Sequence, residues 1–166
     1  MYMLADYIGE DRVSQALAAL VKDWAFKGPP YPTAQGMEND LKKVTPPEFE
    51  YLYDDWFDNI TLFDNRVVSA SYSQLPDGKY QVRISVEAKK YRADGKGQEH
   101  QIPPYDLIGV LDAGGNFLYL QKHKIEQEQQ EFTVTVDKVP AKAGIDPLIK
   151  LIDRNPDDNL TDVKKQ

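Results

Sequence analysis

The residues with the most obvious chemical capacity in this chain are its two histidines, His100 and His123, and several clusters of carboxylates; cysteine is absent. A helical zinc site needs two histidines one turn apart in an H-E-x-x-H arrangement, whereas these two lie far apart in strand-like surroundings. Gln98-Glu99-His100 could supply ligands only through tertiary contact, so surface or packing roles are expected for both histidines. Asp54, Asp55 and Asp58 form a second group, of the type that serves general acid/base or cation chemistry. Asp54 and Asp58 stand one helical turn apart and repel, so an interdomain ion pair with a lysine or arginine is the better expectation. Tyr51, Tyr53, Trp56 and Phe57 could offer a platform for a ligand, but at helical spacing they read as a packing face. The acidic stretch Asp153-Arg154-Asn155-Pro156-Asp157-Asp158-Asn159 lacks the central glycine and closing glutamate of an EF-hand, and its residues are turn formers. Gly114-Gly115 leads from one strand into another rather than into a helix, which argues against a phosphate loop, and the serines around Tyr72 carry no nucleophile elbow. No catalytic, cofactor-binding or metal-binding residue is therefore expected.

Composition narrows the functional classes further. The 166 residues hold 20 Lys and Arg against 27 Asp and Glu, a formal charge of −7, so a basic face for nucleic acid is not expected. With 41% hydrophobic and 28% charged residues the chain reads as globular. No apolar run approaches the roughly 20 residues that cross a bilayer, and the opening Met1-Tyr2-Met3-Leu4-Ala5-Asp6-Tyr7 has no basic n-region. A soluble chain without direct membrane insertion is expected, and the missing cysteines leave its redox compartment open.

These residues must be positioned by helices first and strands afterwards. Val13, Ala16, Leu17, Leu20, Val21 and Trp24 recur at three-and-four spacing and predict a helix over Asp11 to Phe26. Tyr2, Met3 and Tyr7 suggest a preceding helix that begins at once, without a capping residue, as though cut from a longer chain. Gly28-Pro29-Pro30-Tyr31-Pro32 is a loop, because proline removes an amide donor and clashes with the preceding turn. Ala34 to Val44 is a weaker helix bearing Met37, Leu41 and Val44. Thr45-Pro46-Pro47-Glu48 has the form of a capping box, predicting a helix through Phe49, Leu52, Tyr53, Trp56 and Phe57 to Asn59. Three or four helices result.

From Ile60 onward the period becomes two. Val68, Ala70 and Tyr72 alternate with serines, and Tyr80, Val82, Ile84, Val86 and Ala88 alternate with polar partners. Further strands are expected at Tyr105 to Leu111, Phe117 to Lys122 and Glu131 to Val136, about six in all. Turns fall at Pro76-Asp77-Gly78-Lys79, Asp94-Gly95-Lys96-Gly97 and Ala113-Gly114-Gly115-Asn116, and Glu126 to Glu131 reads as a solvated hairpin connection. The expected fold class is α+β: a helical segment over 1–60, then an antiparallel immunoglobulin-like β-sandwich with its tail over 61–166.

Several segments carry a family resemblance. Tyr2-Met3-Leu4, Tyr7-Ile8-Gly9-Glu10-Asp11, Val13, Ala16, Leu17 and Pro29-Pro30-Tyr31-Pro32-Thr33 resemble the helical stretch after the catalytic tyrosine in aminopeptidase N-like zinc metallopeptidases. Tyr51 to Phe57, Ile60-Thr61-Leu62-Phe63-Asp64-Asn65, Ala143-Gly144-Ile145-Asp146-Pro147 and Leu151 to Asn159 resemble the bacterial branch of that clan fused to transporter-permease segments. The resemblance implies a noncatalytic C-terminal fragment of a membrane-associated zinc aminopeptidase, with zinc and the catalytic tyrosine held by upstream sequence. It transfers no catalytic residue, because Tyr2 and Tyr7 are not followed by the family's Tyr-x-Lys-Gly turn. The implied partners are the upstream catalytic domain and, through a bared helical face, a second copy of the chain; the implied location of the parent is the bacterial inner membrane. An independent β-sandwich that binds a protein or glycan is the alternative.

Overall fold

The computed structural model describes residues 1–93 and 98–166. The fold is α+β, with four helices and two sheets among the described residues, and the chain divides into compact units Met1–Ile60 and Thr61–Gln166.

In the first unit, α1 (Tyr2–Ile8) and α2 (Glu10–Trp24) meet at Gly9, whose φ of 95° lies in the region that favours glycine. No side chain caps α1, while Glu10 and Asp11 occupy the first turn of α2, where acids complement the helix dipole. In α2, Val13 and Ala16 are buried but Leu17 and Val21 are exposed, so the apolar stripe is only partly covered. Helix α3 (Ala34–Val44) starts at Thr33, whose Oγ1 accepts the Gly36 amide at 3.2 Å, a cap not anticipated from sequence. Leu4, Ile8, Leu41, Leu52 and Tyr53 are buried, and the ring of Tyr7 meets Trp56 and Phe49 edge-on at 5.2 and 5.9 Å.

The expected capping box does not form. Pro47 drives Pro46 into an extended conformation (φ −60°, ψ 143°), so the next helical turn starts from Pro46, which has no oxygen to offer. Thr45 instead closes α3, donating from Oγ1 to the Leu41 carbonyl at 2.9 Å and lying 2.6 Å from the Tyr53 hydroxyl. Nor is the following helix regular. It passes from a 3₁₀ turn at Pro47–Phe49 through the short α4 (Tyr51–Tyr53) to a π turn at Asp54–Asp58.

In the second unit, β1 (Thr61–Gln74) and β2 (Tyr80–Ala93) form a long antiparallel pair closed by the Pro76–Lys79 turn, with Gly78 at φ 86°. β6 (Gln129–Val136) and β3 (Gln98–Gln101) both pair with β2, and β9 (Lys164–Lys165) pairs parallel with β1. The second sheet runs β5-β4-β7-β8, from β4 (Tyr105–Leu111), β5 (Phe117–Lys124), β7 (Lys142–Ile145) and β8 (Leu160–Asp162). Residues of both sheets share one core: Val82, Ile84 and Val86, Phe132 and Val134, with Ile108, Val110 and Ile145.

Three sequence expectations require correction. A bulge between Val67 and Ser69 resets the alternation of β1, leaving Val68 exposed while Val67 and Ala70 face the core. Glu126 to Glu131 is no hairpin, because β5 and β6 belong to different sheets and β6 already begins at Gln129. The described strands number nine rather than about six, because short strands such as β7, β8 and β9 show no period. The turn expected at Asp94-Gly95-Lys96-Gly97 lies outside the described residues.

Candidate functional site

At one end of the sheet core the inward positions turn from apolar to polar. Residues opposite one another in an antiparallel pair share a face. The inward row of β1 runs Thr61, Phe63, Asn65, Val67, and that of β2 continues from Val86 and Ala88 to Lys90 and Arg92. On β4 the row Val110, Ile108 ends at Asp106, opposite His123 of β5. This end of the core holds an acid–amide knot. The Asn65 Nδ2 donates to Asp106 Oδ2 at 2.7 Å, and the Leu107 amide donates to Asp106 Oδ1 at 2.7 Å. Asn65 is 0% and Asp106 1% exposed, and the Asn65 Oδ1 has no hydrogen-bond partner.

The same knot anchors the segment that follows β7. The Asp146 carboxylate accepts the amides of Lys150 and Leu151, both at 2.9 Å, while its own amide donates to the Leu107 carbonyl at 2.8 Å. Asp153 accepts the amides of Asn65 at 3.0 Å and Asn155 at 2.9 Å. Bonds from Phe63 to the Ile152 carbonyl and from Arg154 to the Phe63 carbonyl, both 2.9 Å, sew the segment to β1. Asp146 and Ile149 adopt positive φ of 42° and 49° to make the path. Burial, then the charge of Asp146 and that of Asp153, raise the Asp106 acid well above the usual carboxylate range. Burial also raises Asp146, to about 6.

Sequence reasoning did not single out Asp106, and it named Asn65 and Asp146 only as members of longer segments. The available signal was parity: Asp106 keeps step with the buried Ile108 and Val110, and Asn65 with Phe63, so each polar side chain had to enter the core. The acidic stretch over 153–159 is a turn with a 3₁₀ segment at Pro156–Asp158, and Asp153 belongs to the knot.

In the helical unit, Lys42, Glu50, Tyr53, Asp54 and Asp58 line a cleft of about 370 Å³. Lys42 pairs with Glu38 and lies 5.1 Å from the centre of the Tyr53 ring. The Asp54 carboxylate accepts from Asn59 Nδ2 at 2.8 Å, and Asp55 is buried. Of the aromatic stripe, Tyr53 is buried and stacks at 5.5 Å on Phe57, which is exposed. His100 belongs to β3. His123 Nε2 lies 2.6 Å from the Tyr119 hydroxyl and its ring 4.9 Å from that of Phe132; burial lowers its pKa.

Among the described residues no group of three or more His, Asp or Glu side chains is arranged to hold a metal ion. Also among the described residues, no helix is long and apolar enough to cross a membrane. Neither a protein-family model nor a curated protein matches the chain.

Proposed function

We propose that this chain is the noncatalytic C-terminal region of an aminopeptidase N-like zinc metallopeptidase, of the bacterial inner-membrane type fused to transporter-permease segments. In this reading it braces the catalytic domain and shapes the approach of substrate, and Thr61–Gln166 is an immunoglobulin-like sandwich. One observation carries it. Segment 60–65 is distant in sequence from the neighbouring segments 143–147 and 151–159, yet the three that bear the resemblance contribute Asn65, Asp146 and Asp153 to a single knot. Shared signatures of a framework should converge in this way, because what they encode is a joint contact.

The test is the reading frame upstream of Met1 and the behaviour of the protein alone. An upstream H-E-x-x-H followed by a helix bearing a glutamate is expected. The protein as it stands should retain no stoichiometric zinc after dialysis and cleave no amino-acid anilide. An upstream frame without that motif, or zinc-dependent turnover by this chain alone, would overturn the reading. The helical unit is also read as a surface for self-association, since Leu17 and Val21 align one turn apart on α2, 37% and 63% exposed.

A further inference from the structure

Asn159 is 1% exposed, and neither its Oδ1 nor its Nδ2 pairs with any group of the protein. Its backbone, by contrast, is fully engaged. The amide donates to the Pro156 carbonyl at 3.4 Å, and the carbonyl accepts the Ile145 amide at 3.0 Å. With Gly144 paired to Leu160, these bonds place Asn159 opposite Ile145. Opposite residues share a face, and Ile145 lies in the core beside Ile108, so the Asn159 side chain is directed into the sandwich. Burying such an amide without partners costs the hydration of all its donors and acceptors. A half-turn of the amide only exchanges one unpaired atom for the other, so its orientation is not the cause.

Asn65 presents a second unsatisfied amide from the opposite sheet. It is fully buried on the inward row of β1, a strand that packs against both β7 and β8. Its Nδ2 donates to Asp106 while its Oδ1 is unpaired, and turning this amide also leaves one atom over. The Oδ1 of Asp158, next to Asn159 in the chain, is buried and unpaired as well.

The groups left over decide which ligand fits. A cation would satisfy the oxygens and leave the Asn159 Nδ2 hydrogens unbonded, while an anion would do the reverse and meet the Asp158 oxygen. Water both donates and accepts, and buried water is typically held by about two to four polar groups, the number offered here. We propose that the corner of the sandwich between β1 and the β7–β8 pair is an internal hydration site, in which bound water joins the side chain of Asn159 to that of Asn65. The site accounts for an asparagine in a row otherwise filled by Ile145 and Ile108, and it adds a link between β1 and the end of the Pro156–Asp158 turn. The inference concerns this chain's own fold and stands whether or not the peptidase reading does.

The experiment records water-selective NMR spectra of the full chain, reading the Nδ2 hydrogens of Asn159 and Asn65. Bound water predicts a cross-peak from water to both amides. Its sign should be opposite in laboratory-frame and rotating-frame spectra, which marks dipolar contact with a long-lived water and separates it from proton exchange. Deuteron relaxation dispersion of the solvent should count at least one long-lived water fewer in Asn159→Leu, which keeps the size of the side chain and removes its polar atoms. The Asn65 cross-peak should disappear in the same variant. Absence of the wild-type cross-peak at either amide overturns the proposal, as does an Asn159→Leu protein with an unchanged count of long-lived waters. Loss of the wild-type cross-peaks on adding calcium chloride would assign the site to a cation and overturn it equally. The wild-type cross-peaks decide the matter even where the variant fails to fold.

Discussion

The Thr45 hydroxyl joins the end of α3 to the buried ring of Tyr53, which is 1% exposed and held above its usual pKa mainly by burial. Thr45→Ala removes one bond to the Leu41 carbonyl and leaves the Tyr53 hydroxyl without this partner, at an expected cost of about 1–3 kcal/mol in denaturant unfolding. Tyr53→Phe added to Thr45→Ala should cost less than it does alone, because the hydroxyl it deletes is already orphaned. Strict additivity in that cycle would show that the two hydroxyls act independently. Thr45 also shows what sequence could and could not supply. Its type and its neighbours matched a capping box, and the side chain does make decisive bonds. The second proline shifted the helix start by one residue, however, and a hydroxyl that bonds eight residues ahead is invisible to local pattern. Asp106 was hidden for a related reason: one acid at the edge of an apolar strand resembles a strand end until the second sheet covers it.

Long elements with a sustained period were legible, and short ones were not. α2, α3, β2 and β4 follow their apolar spacing, whereas β7 and β8 exist because glycine lets two backbones touch. A Cβ placed on Gly144 would lie 1.9 Å from the Asn159 backbone oxygen, the atom that receives the Ile145 amide. Gly144→Ala must therefore separate β7 from β8, and should either abolish soluble expression or lower stability by more than about 3 kcal/mol. A near-wild-type unfolding midpoint would show that the β7–β8 register is wrong. Between β1 and β2, Glu87 is buried and bonded to Lys89 and Arg66, which together hold its acid at about 2 instead of 4.5. A depressed carboxylate stabilises the fold above its unfolded pKa, and that stabilisation disappears as pH falls toward 2. The stability gap between wild type and Glu87→Gln should accordingly be widest near neutrality and close on acidification, measured as urea midpoints across pH. Asp146 works in the opposite sense: raised by burial to about 6, it favours the fold below its ordinary 3.8, and this help is lost as pH rises through 6.

For the whole molecule, the division between a helical part and a sheet part could be read from the change of period, because burying one stripe of a helix and one face of a strand imposes different repeats. What covers the outer face of α2 could not, since an amphipathic pattern gives the apolar face without its partner. Leu17 and Val21 remain exposed there, with Leu20 half-buried beside them and Phe26 fully exposed beyond the helix end. Two such faces brought together would bury apolar area at about 25 cal/mol per Å², the driving force for association as protein concentration rises. Sedimentation of the full chain over a concentration series should show reversible self-association. Leu17→Glu should weaken it without lowering the unfolding midpoint, because the side chain is already at the surface and the new charge is placed where a partner must pack. Leu20→Glu should weaken association too, but with some loss of stability, because that position is partly enclosed. The same series on Thr61–Gln166 alone should give a monomer throughout. A full chain that stays monomeric at high concentration, or a Leu17→Glu protein that associates like wild type, would remove α2 as the contact surface and leave its exposed leucine and valine as ordinary surface residues.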